Sequence, residues 1–380
     1  MKKLLLLLSL FFMTSCSFTM SNSSSPITSE DFLEYEDFIP SDFDNNYNAS
    51  EEIVYASTFE QNYASTVRLI GCYNVNNKVS YTLSSGFVYS EDNDDYYIVS
   101  SASQIAYKTV NNNKVDLYYN GLFEVTFTNN RKYKATYVAS YQEYDLALFK
   151  INTTDFLPVA KLGNSDQLKI GEEVSAIGTP YVDVNLLNSY IKGIVSGLNR
   201  KGSSYYNQYL LNSFPAFQFD APTNKGMEGG VVLNSNDEVV GIISTKQNGN
   251  LGYESLSLAI AINDVAHVID SLITSGEFSP VTLGIVASPL DFSNQISWAN
   301  DLNIHRGIYI VSVSDNSLAS KYSLKANTII LSTQINDSSV VNIDNLEEFQ
   351  SQIIRLKTGD HFTIKTINQN GIETSTTIIL

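Results

Sequence analysis

From about residue 60 onward the chain runs in short apolar bursts parted by polar turn residues. The bursts fall at 66–70, 86–89, 96–99, 123–127, 146–151, 173–177 and 239–243. They are rich in β-branched and aromatic residues and bounded by Asn-Asn, Asn-Asp or Gly, which predicts strands joined by tight turns. Many short strands with no helical pattern between them predict barrels or sandwiches. The first helical period comes at 263–275. There Val265, Val268, Ile269, Leu272 and Ile273 share one face, Asn263 is placed to cap the start and Gly276 to end it. This marks a domain boundary. Beyond it, strands at 307–313, 328–332, 361–367 and 374–380 alternate with helical pieces near 318–322 and 345–356, and no internal repeat is visible.

The N-terminus follows a different pattern. Lys2 and Lys3 precede an apolar run, residues 4–13, that falls short of the roughly 20 residues a spanning helix needs and fits a secretory signal. The run ends in Met13-Thr14-Ser15-Cys16. Small residues directly before a cysteine resemble the bacterial lipobox, which implies cleavage before Cys16 and its diacylation; the alternative is an ordinary cleavable signal. Two acyl chains would anchor the protein without a transmembrane helix. Residues 17–50 are rich in Ser, Asn, Asp and Glu and contain no Lys or Arg, which predicts a solvated tether.

Composition narrows the function classes. The 380 residues are 43% hydrophobic, enough for two or three domains with real cores. The formal charge of -17 opposes nucleic-acid binding. The two cysteines are Cys16 and Cys72; with Cys16 assigned to lipidation, no disulfide framework is possible, and Cys72 reads as a small buried strand residue. No His/Cys cluster has metal-ligand spacing, so neither a metal nor a cofactor is expected.

The motifs in chain order then resemble one family. Ser85-Gly86-Phe87-Val88-Tyr89 followed by Tyr97-Ile98-Val99-Ser100-Ser101-Ala102 is similar to the strand pair that leads to the histidine of HtrA/Deg-type serine proteases. Tyr144-Asp145-Leu146-Ala147-Leu148 resembles the segment with the triad aspartate. Leu162-Gly163-Asn164-Ser165, Ile177-Gly178-Thr179-Pro180 and Gly193-Ile194-Val195-Ser196 match the second barrel, and Gly226-Met227-Glu228-Gly229-Gly230 sits at the nucleophile loop. The resemblance implies a mainly β, two-barrel chymotrypsin-like (trypsin-like) fold. In the tail, Leu283-Gly284-Ile285 resembles the carboxylate-binding loop of a PDZ domain. Ala326-Asn327 departs from the usual Gly-Asp. The expected organisation is a lipoprotein signal peptide (1–15), an acidic tether (16–55), a double barrel (56–276) and a PDZ-like domain (277–380).

The resemblance also exposes a gap. A serine protease needs a hydroxyl nucleophile, a base to take its proton and a carboxylate to orient the base. The base position holds Ser103 and the nucleophile position holds Glu228; only Asp145 survives. A hydroxyl is a poor general base, because its pKa lies far above the working pH. An anion at position 228 opposes the negative charge that must gather beside Gly226, Met227, Gly229 and Gly230. His267, His305 and His361 lie after the second barrel and are not expected to reach the cleft. Asp145 and Glu228 could be read as the paired carboxylates of an acid protease or glycosidase; the preferred reading is a leftover aspartate and a glutamate that fills the oxyanion pocket from inside.

The expected function is that of a membrane-anchored, extracytoplasmic protease homologue that binds unfolded or C-terminal peptides as chaperone, scaffold or regulator of an active relative, with homo-oligomers possible. The alternatives are an active serine endopeptidase with an unrecognised nucleophile, and a surface adhesin on a protease scaffold.

Overall fold

The computed structural model describes residues 54–75, 78–112, 114–181, 186–206, 209–244, 256–290 and 296–380. The expected signal peptide, Cys16 and nearly all of the tether lie outside these residues. A short helix, α1 (Thr58–Ser65), opens the folded part, capped by the Ser57 hydroxyl, which accepts the Glu60 amide.

The first barrel closes six strands in the order β1-β2-β3-β8-β7-β6. These are β1 (Thr66–Val75), β2 (Lys78–Asp92), β3 (Asp95–Ser101), β6 (Leu122–Thr126), β7 (Lys132–Tyr141) and β8 (Leu146–Asn152). A short helix, α2 (Ala102–Ile105), and a separate hairpin of β4 (Tyr107–Asn111) and β5 (Lys114–Tyr118) interrupt it after β3. Its interior holds Val67, Leu69, Ile98, Val125 and Phe149, each alternating inward along its strand.

The second barrel runs β10-β11-β14-β13-β12-β9. Its strands are β9 (Glu173–Gly178), β10 (Ser189–Tyr206), β11 (Tyr209–Phe219), β12 (Val231–Leu233), β13 (Val239–Ile243) and β14 (Ser257–Ala261). Helix α3 (Ile262–Ser275) then packs Val265, Val268, Ile269 and Leu272 into the core between the barrels. Gly276 ends it in a left-handed conformation, as expected. The start differs from expectation: Ala261 is the cap residue, without a side-chain bond. Asn263 instead ties α3 to the loop before β9, accepting the Ser165 amide at 3.3 Å and donating to Asn164 Oδ1 at 2.7 Å.

The C-terminal part is a six-stranded sheet, β15-β16-β17-β19-β20 with β18 paired to β17. It comprises β15 (Ile285–Pro289), β16 (Ile308–Val313), β17 (Thr328–Ile335), β18 (Val341–Asn342), β19 (His361–Asn368) and β20 (Glu373–Ile379), with helices α4 (Ser297–Asp301), α5 (Leu318–Lys321) and α6 (Leu346–Ile354). This unit stands where the PDZ-like domain was expected. At the atypical turn, Asn327 takes a left-handed φ of 60°, which asparagine tolerates, and its side chain accepts the Tyr309 hydroxyl at 2.6 Å. Cys72 is half-buried on β1 rather than fully enclosed, because its side chain leaves the barrel interior that Gly71 and Tyr73 face. No helix among the described residues is long and apolar enough to cross a membrane.

Candidate functional site

β3 delivers its last residues into the cleft between the barrels. The Ser101 hydroxyl caps α2 by accepting the Gln104 amide at 3.3 Å, and donates its own proton to Asp145 Oδ2 at 2.7 Å. The Ser103 backbone amide donates to the other oxygen, Oδ1, at 2.6 Å, and the Ala102 amide donates to the Asp145 carbonyl at 2.9 Å. Asp145 follows a single 3-10 turn, Gln142–Tyr144, and adopts φ 55°, a conformation open to a short polar side chain that bonds locally. The aspartate is thus clamped onto the first turn of α2. Burial raises its pKa, opposed by the Ser101 hydroxyl, by Ser103 and by the Lys108 charge.

The loop 226–230 faces this cluster from the second barrel. Gly226 and Gly229 have φ of 98° and 84°, which favours glycine. A Cβ on Gly229 would collide with the Ser85 carbonyl and lie 2.6 Å from the Ser101 amide nitrogen. The loop is stitched to β2: the Ser85 amide and the Ser84 hydroxyl donate to the Glu228 carbonyl at 2.9 and 2.8 Å, and the Ser85 hydroxyl donates to the Gly226 carbonyl at 2.8 Å. Met227 is fully buried in the second barrel's core.

Glu228 itself turns inward and is 6% exposed. Its Oε2 accepts the Gly226 amide at 2.6 Å, and its own backbone N–H also bonds the carboxylate. Convergent backbone N–H groups are the donor set that stabilises an oxyanion; here a side chain of the same loop takes them up. Burial pushes the Glu228 pKa up to about 7, helped by the Asp145 charge and opposed by the two amides and Lys225.

Ser103, Asp145 and the loop that carries Glu228 are therefore brought together at the cleft. The three histidines are not. His267 Nε2 bonds the Ile354 carbonyl at 2.6 Å, His305 Nε2 bonds Asn303 Oδ1 at 2.8 Å, and His361 is exposed on β19.

The motif order did not point to Lys108. It stands on β4, half-buried, donates to the Ala106 carbonyl at 3.1 Å and lies 5.5 Å over the Tyr206 ring. Burial lowers its pKa to about 8, with Asp145 and Glu228 pulling the other way and Lys225 adding to the fall. A hairpin lysine outside any motif carries no sequence signal, and its place in the cleft follows from the fold alone.

The second candidate site lies on the C-terminal sheet. Leu283 is buried, Gly284 has φ 77°, and a Cβ there would overlap that of Ser317. The Gly284 and Leu283 carbonyls accept the Ser314 and Ala319 amides at 2.8 and 2.9 Å, which pins this loop to α5. Ile285 begins β15, an edge strand paired with β16 on one side. Between β15 and α6 lies a groove of about 490 Å³ that includes Leu283, Gly284 and Ile285.

Comparison with known proteins agrees with this architecture. Residues 84–242 match the family model described as "Trypsin-like peptidase domain". The chain is 31% identical over 271 residues to Serine protease Do-like HtrA of Lactococcus lactis subsp. cremoris (strain MG1363), covering 69% of this chain and 63% of that protein. It is 30% identical over 295 residues to Serine protease Do-like HtrB of Bacillus subtilis (strain 168), covering 76% and 60%. It thus spans less than two thirds of the length of these relatives. Among solved structures, the HtrA-type protease AlgW with tripeptide has a similar fold, with a TM-score of 0.60 and 22% identity over 86% of this chain and 96% of that one. The folded part of the chain is therefore mainly β and trypsin-like in fold, with residues 84–242 matching a trypsin-like peptidase domain and the chain similar to HtrA-type proteases.

Proposed function

We propose that this chain is a peptide-binding protease homologue that has lost hydrolysis. The observation that carries the reading is the Glu228 carboxylate, held 2.6 Å from the Gly226 amide in the donor set that a tetrahedral intermediate would need. A substrate carbonyl would have to displace a covalently tethered competitor. Ser103 adds a second obstacle: with a hydroxyl where the base belongs, no imidazole faces Asp145 to take a nucleophile's proton. Four hydroxyls near the loop are already committed as donors, Ser84 to the Glu228 carbonyl, Ser85 to the Gly226 carbonyl, Ser100 to the Ser85 carbonyl and Ser101 to Asp145.

In this reading the working site is the groove at Leu283-Gly284-Ile285, where an extended segment adds to the open edge of β15. The C-terminal unit then acts as a PDZ-like domain, and AlgW, solved with a tripeptide, offers a precedent on a similar fold. Lipidation at Cys16 would hold the protein on the outer face of the cell membrane as chaperone, scaffold or regulator of an active relative. The names of the relatives favour a second reading, an active serine endopeptidase. One experiment separates the two. The purified chain is mixed with a reduced, unfolded protein, and both light scattering and fragments are followed. Suppressed aggregation without fragments is expected. Fragments that disappear with a serine-directed inhibitor would establish the endopeptidase instead.

A further inference from the structure

The groove beside β15 is not built from the C-terminal unit alone. Leu283, Ile285, Phe349 and Ile353 form its apolar floor and one wall, while Tyr141, Glu143 and Tyr144 from the end of β7 and the turn after it form part of the opposite side. Helix α6 holds the two halves in register. One face of the helix, with Phe349 and Ile353, lines the groove. The opposite face is bolted to the barrels: Ser351 and Arg355 Nε each donate to Asp264 Oδ1 at 2.7 Å, and the Arg355 guanidinium also bonds Asp166 at 2.7 and 3.1 Å. Asn199 Nδ2 adds a bond to Glu348 Oε1 at 2.9 Å. The barrel wall of the groove is therefore a fixed part of it.

That wall has a charge the rest of the groove lacks. Glu143 is the one carboxylate among the described lining residues, no Lys or Arg lines the groove, and no ion pair to Glu143 is present among the described residues. Glu143 is exposed at the rim, in the turn between the buried Tyr141 and Tyr144, whose stacked rings hold that turn in place with centroids 5.9 Å apart. An exposed carboxylate with no cation of its own is a favourable seat for an ammonium or guanidinium group, which gains a charge-assisted hydrogen bond there.

The strand edge limits the length of the occupant. β15 pairs with β16 on one side and leaves its other edge open, so that alternate residues from Ile285 to Ser288 turn backbone groups outward before the strand stops at Pro289, which has no N–H to donate. An extended segment of about four residues fits this ladder at roughly 3.3 Å per residue. We propose that the groove selects extended peptides that place an apolar terminal residue on the Leu283, Phe349 and Ile353 floor and a Lys or Arg a few residues upstream, against Glu143. This specificity rests on the groove being the peptide site, as argued above, and adds that the first barrel supplies the residue that chooses the ligand.

The test uses the full purified chain and two fluorescent heptapeptides with free carboxylates and the same apolar terminal residue. One carries Lys and the other Glu, scanned across the upstream positions. Fluorescence anisotropy at physiological salt is expected to favour the best Lys peptide at least about tenfold, and Glu143→Lys is expected to reverse the order. Because the whole chain is acidic, the reversal by one rim residue is the decisive readout, not the preference alone. Ile353→Glu, which charges the floor, should abolish binding of both peptides. If both bind equally and Glu143→Lys changes nothing while Ile353→Glu abolishes binding, the selectivity is refuted and the groove reading stands. If neither peptide binds, or Ile353→Glu has no effect, the groove reading falls and the selectivity falls with it.

Discussion

The inter-barrel cleft and the β15–α6 groove stand side by side in one folded body, and they treat their polar groups in opposite ways. In the cleft, the two carboxylates already have their partners: Asp145 takes the Ser101 hydroxyl and the Ser103 amide, and Glu228 takes the Gly226 amide. In the groove, the edge of β15 and the Glu143 carboxylate remain available. Buried donors and acceptors left without partners cost roughly 1–3 kcal/mol each, so polar groups in a buried cleft tend to bond to one another. An exposed edge carries no such penalty and stays open. The location of satisfied and unsatisfied groups therefore indicates where a ligand can gain free energy.

The comparison is broken most severely by rebuilding the chemistry. Ser103→His with Glu228→Ser is expected to restore a base against Asp145 and a nucleophile in an emptied donor set. Amidase activity on an unfolded substrate should rise by at least about 100-fold over the parent chain, while neither single variant rises, since the groups act as a unit. A rise in the Glu228→Ser variant alone would show that another base already operates.

A smaller effect is expected where the groove is anchored. Arg355→Met leaves Asp264, which is 2% exposed, buried without its cation. Such a broken pair costs about 3 kcal/mol, visible as a lower urea midpoint. Replacing both partners, Asp264→Leu with Arg355→Met, should recover much of that loss.

The third effect is the pH response of the cleft. Glu228 has a folded pKa of about 7 against an ordinary value of 4.5, so the folded chain binds the extra proton between those values. Stability from this group is full below the ordinary value and is lost as pH rises through about 7, amounting to roughly 3 kcal/mol at about 1.4 kcal/mol per unit. Urea unfolding at pH 5 and pH 8 should show the fall in the parent chain and a flatter profile in Glu228→Gln. A profile unchanged by the substitution would mean that Glu228 is not confined as described.

Much of the barrel architecture could be read from the chain because it is written locally. The β-branched runs at 66–70, 96–99 and 239–243 all became strands, and α3 kept its apolar face and its Gly276 stop. The long β10–β11 hairpin was only partly anticipated, at 193–196, because polar residues such as Asn199, Arg200 and Lys201 break its alternation and register shifts interrupt its pairing. Ser103, Asp145 and Glu228 were singled out through the motifs that flank them, which are local in the chain. Lys108 and Glu143 were not. One stands on a hairpin and the other in a turn, and each acquires its role from residues distant in the chain, Tyr206 for the first and Phe349 and Ile353 for the second. The expected cap at Asn263 failed for a related reason: tertiary bonds to Asn164 and Ser165 outcompeted the local one.

The central claim is that no serine in this chain is an activated nucleophile. Treating the purified full chain with a fluorophosphonate probe, beside an active relative and the Ser103→His/Glu228→Ser variant, tests it directly. No labelling of the parent chain is expected, with labelling of both controls; stoichiometric labelling of any serine in the parent chain would contradict the account.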